Sequence, residues 1–125
     1  MYQVAIRRPL VSFHQLIGGD WGKENEHHSH DYLVEVVLEG RTLDRHGYLF
    51  DIAVLKERVD QVSARYEQKT LNDLEEFKGL NPSLERFAQF FAERLHAGLE
   101  LKGIDALKLT LWEDPTAWAT FRIAL

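Results

Sequence analysis

The sequence predicts an α+β fold in which two helices cover one face of an antiparallel sheet. Three observations support it: two N-terminal segments alternate apolar and polar residues, two central segments repeat apolar residues every three or four positions, and two more alternating segments follow. Alternation with a period of two is typical of strands, and the longer period is typical of helices. The order β-β-α-α-β-β separates strands from helices along the chain, which favours an α+β architecture.

Length and composition are those of one folded domain over residues 1–125, with 45% hydrophobic and 28% charged residues. No run of eighteen apolar residues and no signal-peptide pattern is present, so we expect a cytoplasmic protein without a membrane partner. The net charge of −5 and the lack of a Lys/Arg block argue against a nucleic-acid partner. The chain has no cysteine, so any metal or covalent chemistry must use other side chains.

The first strand is predicted over residues 2–17, which are rich in β-branched and apolar types and end at the turn signal Gly18-Gly19-Asp20. A polar loop over 18–26 leads to the second strand. Six residues of that strand fall at a spacing of two and therefore share one face: His28, His30, Tyr32, Val34, Val36 and Leu38. The opposite face is mixed, which suits contact with solvent or with another subunit.

Two amphipathic helices are predicted in the middle of the chain. The first follows Asp51, a residue suited to capping a helix, and its apolar side comprises Ile52, Leu55, Val59, Val62 and Tyr66. The second starts at Asn81-Pro82, which offers a cap followed by proline at the first helical position, and is expected to stop at Gly103. Its apolar side comprises Leu84, Phe87, Ala88, Phe91, Leu95 and Leu99.

Two strands are predicted to end the chain. Leu107, Leu109 and Leu111 alternate with other residues, and a turn is expected over 113–116. The last strand then alternates apolar residues over 119–125.

The most informative residues are histidines, three of which fall within residues 27–30. His28 and His30 place both imidazoles on one side of a strand, and an antiparallel hairpin would bring His14 beside them. Catalytic zinc commonly takes three protein ligands and keeps one position for water or substrate. The spacing is therefore compatible with a metal site, although an exposed polar strand end is the alternative.

These histidines stand within a longer pattern. Leu10-Val11-Ser12-Phe13-His14-Gln15-Leu16 and Glu24-x-x-x-His28-Ser29-His30 resemble the zinc-site motifs of the 6-pyruvoyl-tetrahydropterin synthase and 6-carboxy-tetrahydropterin synthase family, Phe-x-Ala-Ala-His-x-Leu and Cys-x-x-x-His-Gly-His. The likeness continues in order through Gly47-Tyr48-Leu49-Phe50-Asp51-Ile52, Leu71-Asn72-Asp73, Pro82-Ser83-Leu84-Glu85-Arg86-Phe87-Ala88 and Leu111-Trp112-Glu113. Nearly the whole chain is covered.

The resemblance implies a tunnelling fold that assembles into a barrel-like homo-oligomer, a trimer or hexamer, with active sites at subunit interfaces. It implies a lyase of folate or queuosine biosynthesis with Zn²⁺ held by His14, His28 and His30, and a pterin substrate bound by Glu113. A carboxylate accepts two parallel N–H bonds, which suits the amino group and ring N–H of a pterin. Without the resemblance, Glu113 would be interpreted as a turn carboxylate.

The chain departs from the family pattern at two places. Glu24 stands where the family has its catalytic Cys, and Glu67-Gln68 stand where it has an Asp-His pair, so the relay histidine is missing. Glu24 and Glu67 are therefore the candidate catalytic residues. Glu26 competes with Glu24, and ordinary solvated loop carboxylates are the alternative for both.

Three functions remain open at this point. A branch of the family with Glu in place of Cys cleaves the side chain of 7,8-dihydroneopterin triphosphate to 6-hydroxymethyl-dihydropterin, and Glu24 would act there as general acid or base. The second is the usual elimination, leading to a 6-pyruvoyl- or 6-carboxy-tetrahydropterin. The third is non-catalytic binding of a pterin or purine. A triphosphate would need cations, and those near the predicted loops are Arg7, Arg8, Lys23, Arg41 and Lys69.

Overall fold

The computed structural model describes residues 1–125 and confirms the order β-β-α-α-β-β. Its elements are β1 (Tyr2–His14), β2 (His28–Gly40), α1 (Ile52–Tyr66), α2 (Leu84–Ala97), β3 (Ala106–Asp114) and β4 (Ala117–Ala124), with short 3-10 turns at Gly22–Asn25, Leu71–Asp73 and Glu75–Phe77. The strands form one antiparallel sheet in the order β1-β2-β3-β4. None of the helices is long and apolar enough to cross a membrane.

The core lies between the sheet and the two helices. The same-face residues predicted for β2 are buried there from Tyr32 onwards, together with side chains of both helices: Val34, Val36, Leu38, Leu55, Val59, Val62, Phe87, Phe91 and Leu95. Burying one such side chain contributes about 1.5–3 kcal/mol, so this face holds the sheet and helices together. His28 and His30 continue the same face beyond the core, towards the end of the sheet.

The pairing of β1 with β2 is unbroken from Tyr2 opposite Gly40 to His14 opposite His28. The predicted first strand is three residues too long, since β1 ends at His14. The next backbone N–H groups have other partners: Gln15 donates to Asn72 Oδ1 at 2.9 Å and Leu16 donates to the Glu24 carbonyl at 2.9 Å. The chain therefore leaves the sheet directly after the histidine.

The helix ends agree with the prediction for α1 and differ for α2. The Asp51 carboxylate caps α1 by accepting from the Ala53 N–H at 2.9 Å. In α2 the cap is Ser83 rather than Asn81, whose side chain instead accepts from the Ile17 N–H at 2.8 Å. The helix ends at Ala97 with Gly98 as its C-cap, so the predicted stop at Gly103 is also wrong.

Gly98 and Gly103 have different surroundings. A Cβ at Gly98 would collide with the guanidinium of Arg58, whose Nη2 donates to the Arg94 carbonyl at 2.6 Å. Gly103 has a φ of +84° and lies in the turn before β3. At the other end of β3 the predicted turn over 113–116 is shorter than expected, because the strand continues to Asp114 and keeps Glu113 in the sheet.

Candidate metal centre and the adjoining cavity

Three histidines converge where β1 ends and β2 begins. The Nε2 atom of His28 lies 2.9 Å from Nε2 of His14 and 3.0 Å from Nε2 of His30. The antiparallel register places His14 directly opposite His28, and the strand period places His30 on the same face. The structure thus brings together the three side chains that were predicted to hold a metal.

The protonation of these rings favours a cation between them. Nδ1 of His28 lies 2.7 Å from the Glu26 carbonyl, so Nδ1 carries the proton and Nε2 presents a lone pair. Burial of His14, reinforced by His28 and His30, lowers its pKa from 6.5 to about 4, so this ring is neutral at pH 7. Lone pairs this close repel one another unless a metal ion or proton lies between them, and imidazole nitrogens suit zinc.

The second nitrogen of His14 gives a further indication. Its Nδ1 is buried and has no other hydrogen-bond partner than the backbone carbonyl of Pro82, which is close enough to raise the pKa of the ring. Metal-bound histidines commonly donate this second N–H to a carbonyl. The residues present therefore fit a metal ion.

Glu24 completes the cluster. Its Oε2 lies 2.9 Å from His28 Nε2 and 3.8 Å from His30 Nε2, and the ligand atoms of all four residues lie within 4.8 Å of one another. Glu26 contributes its backbone carbonyl to His28, and its carboxylate is outside the cluster. Of the two competing loop carboxylates, Glu24 is the one that joins the histidine cluster.

A short turn holds Glu24 in place. The carboxylate extends from the 3-10 turn Gly22–Asn25, whose side-chain amide at Asn25 accepts from the Trp21 N–H at 2.7 Å. The same amide donates to the carbonyls of Leu16 and Gly19, each at 3.0 Å. These bonds hold the turn against the end of β1. They therefore fix the backbone from which the Glu24 side chain extends.

A cavity of about 230 Å³ adjoins the cluster, and its lining includes Glu113. Glu113 Oε1 lies 3.4 Å from His30 Nε2, so this predicted substrate-binding residue reaches the site from β3. The full lining is His14, Leu16, Trp21, Glu24, Tyr32, Asn81, Pro82, Ser83, Leu84, Glu85 and Glu113. A larger cavity, of about 500 Å³, is lined by residues between 44 and 53, at the start of α1 and in the loop before it, and shares no residue with the site.

The cavity residues that were not singled out as functional from the sequence include Tyr32, Trp21 and Glu85. Tyr32 was placed on the correct face by its spacing, and its ring lies 5.6 Å from that of His30. Burial, and then the charges of Glu113 and Glu24, raise its pKa, so it stays a hydroxyl donor at neutral pH. No motif covers Trp21, which lies on the loop before Gly22. Glu85 stands within the motif of residues 82–88 but was given no role, and it reaches the cavity from the first turn of α2.

Glu67 is not brought to the cluster within one chain. Its Oε2 accepts from the Val11 N–H at 2.8 Å, and its Oε1 lies 3.9 Å from Arg8 Nη1. The adjacent Gln68 has a φ of +58° and donates its N–H to the Val11 carbonyl at 2.8 Å. Segment 67–70 therefore lines the edge of β1, and a catalytic role for Glu67 stays a prediction that requires a second copy of the chain.

The family model described as 6-pyruvoyl tetrahydropterin synthase matches residues 3–124. The chain belongs to the 6-pyruvoyl tetrahydropterin synthase family. It is accordingly a lyase of the tetrahydropterin synthase type, and the resemblance found in the sequence is confirmed. No curated protein matches the chain.

Solved structures confirm the tunnelling fold. The Caenorhabditis elegans 6-pyruvoyl tetrahydropterin synthase is 24% identical with a TM-score of 0.82, over 99% of this chain and 98% of that one. The Plasmodium vivax enzyme is 16% identical with a TM-score of 0.83 and the same coverage. Escherichia coli dihydroneopterin aldolase in complex with neopterin is 14% identical with a TM-score of 0.59, over 99% and 100% of the chains. At these identities the likeness shows the fold.

Proposed function

We propose that this member of the 6-pyruvoyl tetrahydropterin synthase family is zinc-dependent and cleaves the side chain of 7,8-dihydroneopterin triphosphate to 6-hydroxymethyl-dihydropterin. The observation that carries the proposal is the position of Glu24, whose carboxylate lies 2.9 Å from His28 Nε2. The residue that stands where the family has its Cys is thus a carboxylate beside the three histidines, which supports a role for it at a bound metal. A zinc ion held by His14, His28 and His30 would supply Lewis acidity towards a substrate oxygen.

Glu24 is suited to take the hydroxyl proton that starts such a cleavage. Its side chain is about half exposed, so a substrate hydroxyl can approach it directly. When that proton moves to Glu24, the bond between the first and second side-chain carbons breaks and the second carbon becomes an aldehyde. The bond's electron pair enters the conjugated ring, and a proton then returns to the first carbon. One carboxylate can serve as base and then as acid.

Glu113 is proposed to bind the pterin ring. Its carboxylate can accept from the amino group and a ring N–H at once, which would orient the ring within the cavity. Glu113 and Glu24 both line that cavity. One carboxylate would therefore fix the ring while the other acts on its side chain.

A relative supports a glutamate in the catalytic role. Structures of Plasmodium vivax 6-pyruvoyltetrahydropterin synthase include variants in which a catalytic glutamate is replaced by alanine or by cysteine. We assign the corresponding role here to Glu24.

We further propose that the chain forms a homo-oligomer, a trimer or hexamer, with sites at its interfaces. β1 and β4 are the outer strands of the sheet, and segment 67–70 bonds to the β1 edge only at residues 11–13. The remaining strand edges are templates for pairing with another chain. In such an assembly Glu67 of one copy would act as a catalytic residue in the site of the neighbouring copy.

Product analysis tests the proposal. Zinc-loaded protein is incubated with 7,8-dihydroneopterin triphosphate, and we expect 6-hydroxymethyl-dihydropterin together with a two-carbon aldehyde fragment that carries the triphosphate. Release of inorganic triphosphate, with a 6-pyruvoyl- or 6-carboxy-tetrahydropterin as the pterin product, would instead support the family's usual elimination. Binding without turnover would support a non-catalytic member, as the missing relay histidine at Gln68 would allow.

A further inference from the structure

Trp21 is an unusual member of the cavity lining. It is 47% exposed, and it is the only large apolar lining residue that is exposed, since Tyr32 and Pro82 are buried and Leu16 and Leu84 are partly buried. Leaving an indole ring in water forgoes the burial that an aromatic side chain usually gains. Its contribution to the core therefore does not explain its position.

The indole is nevertheless held in a defined place. Its six-membered ring packs directly on Gly19, where an added Cβ would lie 2.6 Å from Cη2 and 2.8 Å from Cζ3. The backbone of Trp21 is tied to Asn25 by a 2.7 Å bond, and its carbonyl accepts from the Glu24 N–H at 3.3 Å. One short turn thus presents both Glu24 and a fixed aromatic ring to the same cavity.

The cavity offers polar groups that can bond to the edge of a flat ring. Trp21 is its only exposed aromatic side chain, and so the only one that could cover the face of that ring. Carboxylates from Glu113 and Glu85 can accept N–H groups along the edge of a heterocycle, and an indole can cover its face. We propose that Trp21 stacks on the planar heteroaromatic ring of the ligand and determines how tightly that ring is held. This inference rests on the proposed function, because a pterin supplies both the N–H edge and the flat face.

The test compares Trp21 with a second exposed tryptophan. Trp118 on β4 is 56% exposed, contacts Trp112 and is not part of the cavity, so Trp118→Ala is the control for Trp21→Ala. Because β4 is also proposed to contact another copy, size-exclusion chromatography is used to compare the oligomeric state of both variants with that of the wild type. Neopterin and unsubstituted pterin are titrated by calorimetry into the zinc-loaded wild type and both variants. We expect Trp21→Ala to bind both ligands about tenfold or more weakly, with Trp118→Ala unchanged. Pterin lacks the hydroxylated side chain, so its loss of affinity reports on the ring alone.

Two further readouts separate stacking from a structural role of the turn. Trp21→Phe keeps an aromatic face and should bind neopterin within about threefold of wild type, whereas zinc affinity should be unchanged in Trp21→Ala. Quenching of tryptophan emission by neopterin should persist in Trp118→Phe and be largely lost in Trp21→Phe.

Each contrary result has a separate meaning. Wild-type affinity for both ligands in Trp21→Ala would overturn the stacking role and leave the proposed function intact. Loss of zinc affinity together with ligand affinity in that variant would assign Trp21 a structural role and overturn the inference. If the zinc-loaded wild type binds neither neopterin nor pterin, the proposed function fails, and the inference fails with it.

Discussion

Glu24 Oε2 lies 2.9 Å from Nε2 of His28, and the backbone carbonyl of Glu26 lies 2.7 Å from Nδ1 of the same ring. The two nitrogens of the His28 imidazole are therefore contacted by two different residues of a single loop. The Glu26 carbonyl fixes the tautomer of His28, and the Glu24 carboxylate lies beside the nitrogen that is proposed to bind the metal. This arrangement gives the two neighbouring glutamates separate roles and yields predictions that can be tested independently.

Removing a histidine of the cluster should abolish tight zinc binding. His28→Ala and His30→Ala each delete an Nε2 that lies about 3 Å from its neighbour, and we expect zinc affinity to fall by more than about 100-fold. A chromophoric chelator in competition with the protein measures the change. His46→Ala is the control, because His46 is exposed and contacts Arg45 instead. Unchanged zinc affinity in His28→Ala would refute the assigned ligand set.

The metal-free protein should lose stability as the pH falls from 6.5 towards 4. The pKa of His14 is lowered to about 4 by burial and by its histidine neighbours, while in the unfolded chain it is near 6.5. Between these values the unfolded state binds the extra proton, so the contribution of His14 is full above pH 6.5 and decreases below it. Urea unfolding at several pH values measures how steeply the free energy of unfolding changes with pH. His14→Leu should show a shallower slope over this range, and an equal slope would contradict the assignment.

Asn25 should position the loop without binding the metal. Asn25→Ala removes one bond accepted from Trp21 and two donated to Leu16 and Gly19, which we expect to cost about 1–3 kcal/mol in the free energy of unfolding. Turnover should fall at least tenfold, while zinc affinity stays near that of the wild type because all three histidines remain. Gln89→Ala, which removes an exposed amide bond to Glu93, is the control and should leave turnover unchanged.

Glu76 is expected to stabilise the fold at a position outside the candidate site. It accepts from Arg65 at 2.6 and 2.9 Å, from Tyr66 at 2.8 Å and from Arg94 at 3.1 Å. Burial opposes its ionisation, but the bonds from Arg65 and Tyr66 prevail and lower its pKa from 4.5 to about 2. Its contribution to stability is therefore present above pH 4.5 and decreases as the pH falls towards 2.

Glu76→Gln should lower the free energy of unfolding at pH 7 by about 1–3 kcal/mol, since its charge-assisted bonds are weakened. Glu75→Gln is the matched control, because Glu75 is exposed and pairs only with Lys78 at 3.2 Å. Chemical denaturation of both variants at pH 7 measures the difference. Equal free energies of unfolding for the two variants would show that the bonds of Glu76 with Arg65, Tyr66 and Arg94 do not contribute to stability.

The histidines on the strands were predictable from local rules, whereas on the loop Glu24 was predicted only through the family resemblance and Trp21 was not predicted. His14, His28 and His30 follow from the strand period and from hairpin pairing, both of which are local rules. The role of Asn81 was mispredicted because its side chain bonds to Ile17, a partner 64 residues away that a capping rule does not consider. Trp21 lies on an irregular loop, where no periodicity relates a residue to its neighbours in space.

The assignment of Glu24 as the proton-transferring group is tested most directly by comparing turnover of Glu24→Gln and Glu26→Gln. Both changes keep the size of the side chain, and both zinc-loaded variants are incubated with 7,8-dihydroneopterin triphosphate. We predict that Glu24→Gln binds zinc and neopterin but forms 6-hydroxymethyl-dihydropterin at least about 100-fold more slowly, while Glu26→Gln stays near the wild-type rate. Wild-type turnover by Glu24→Gln, or equal losses in the two variants, would contradict the account.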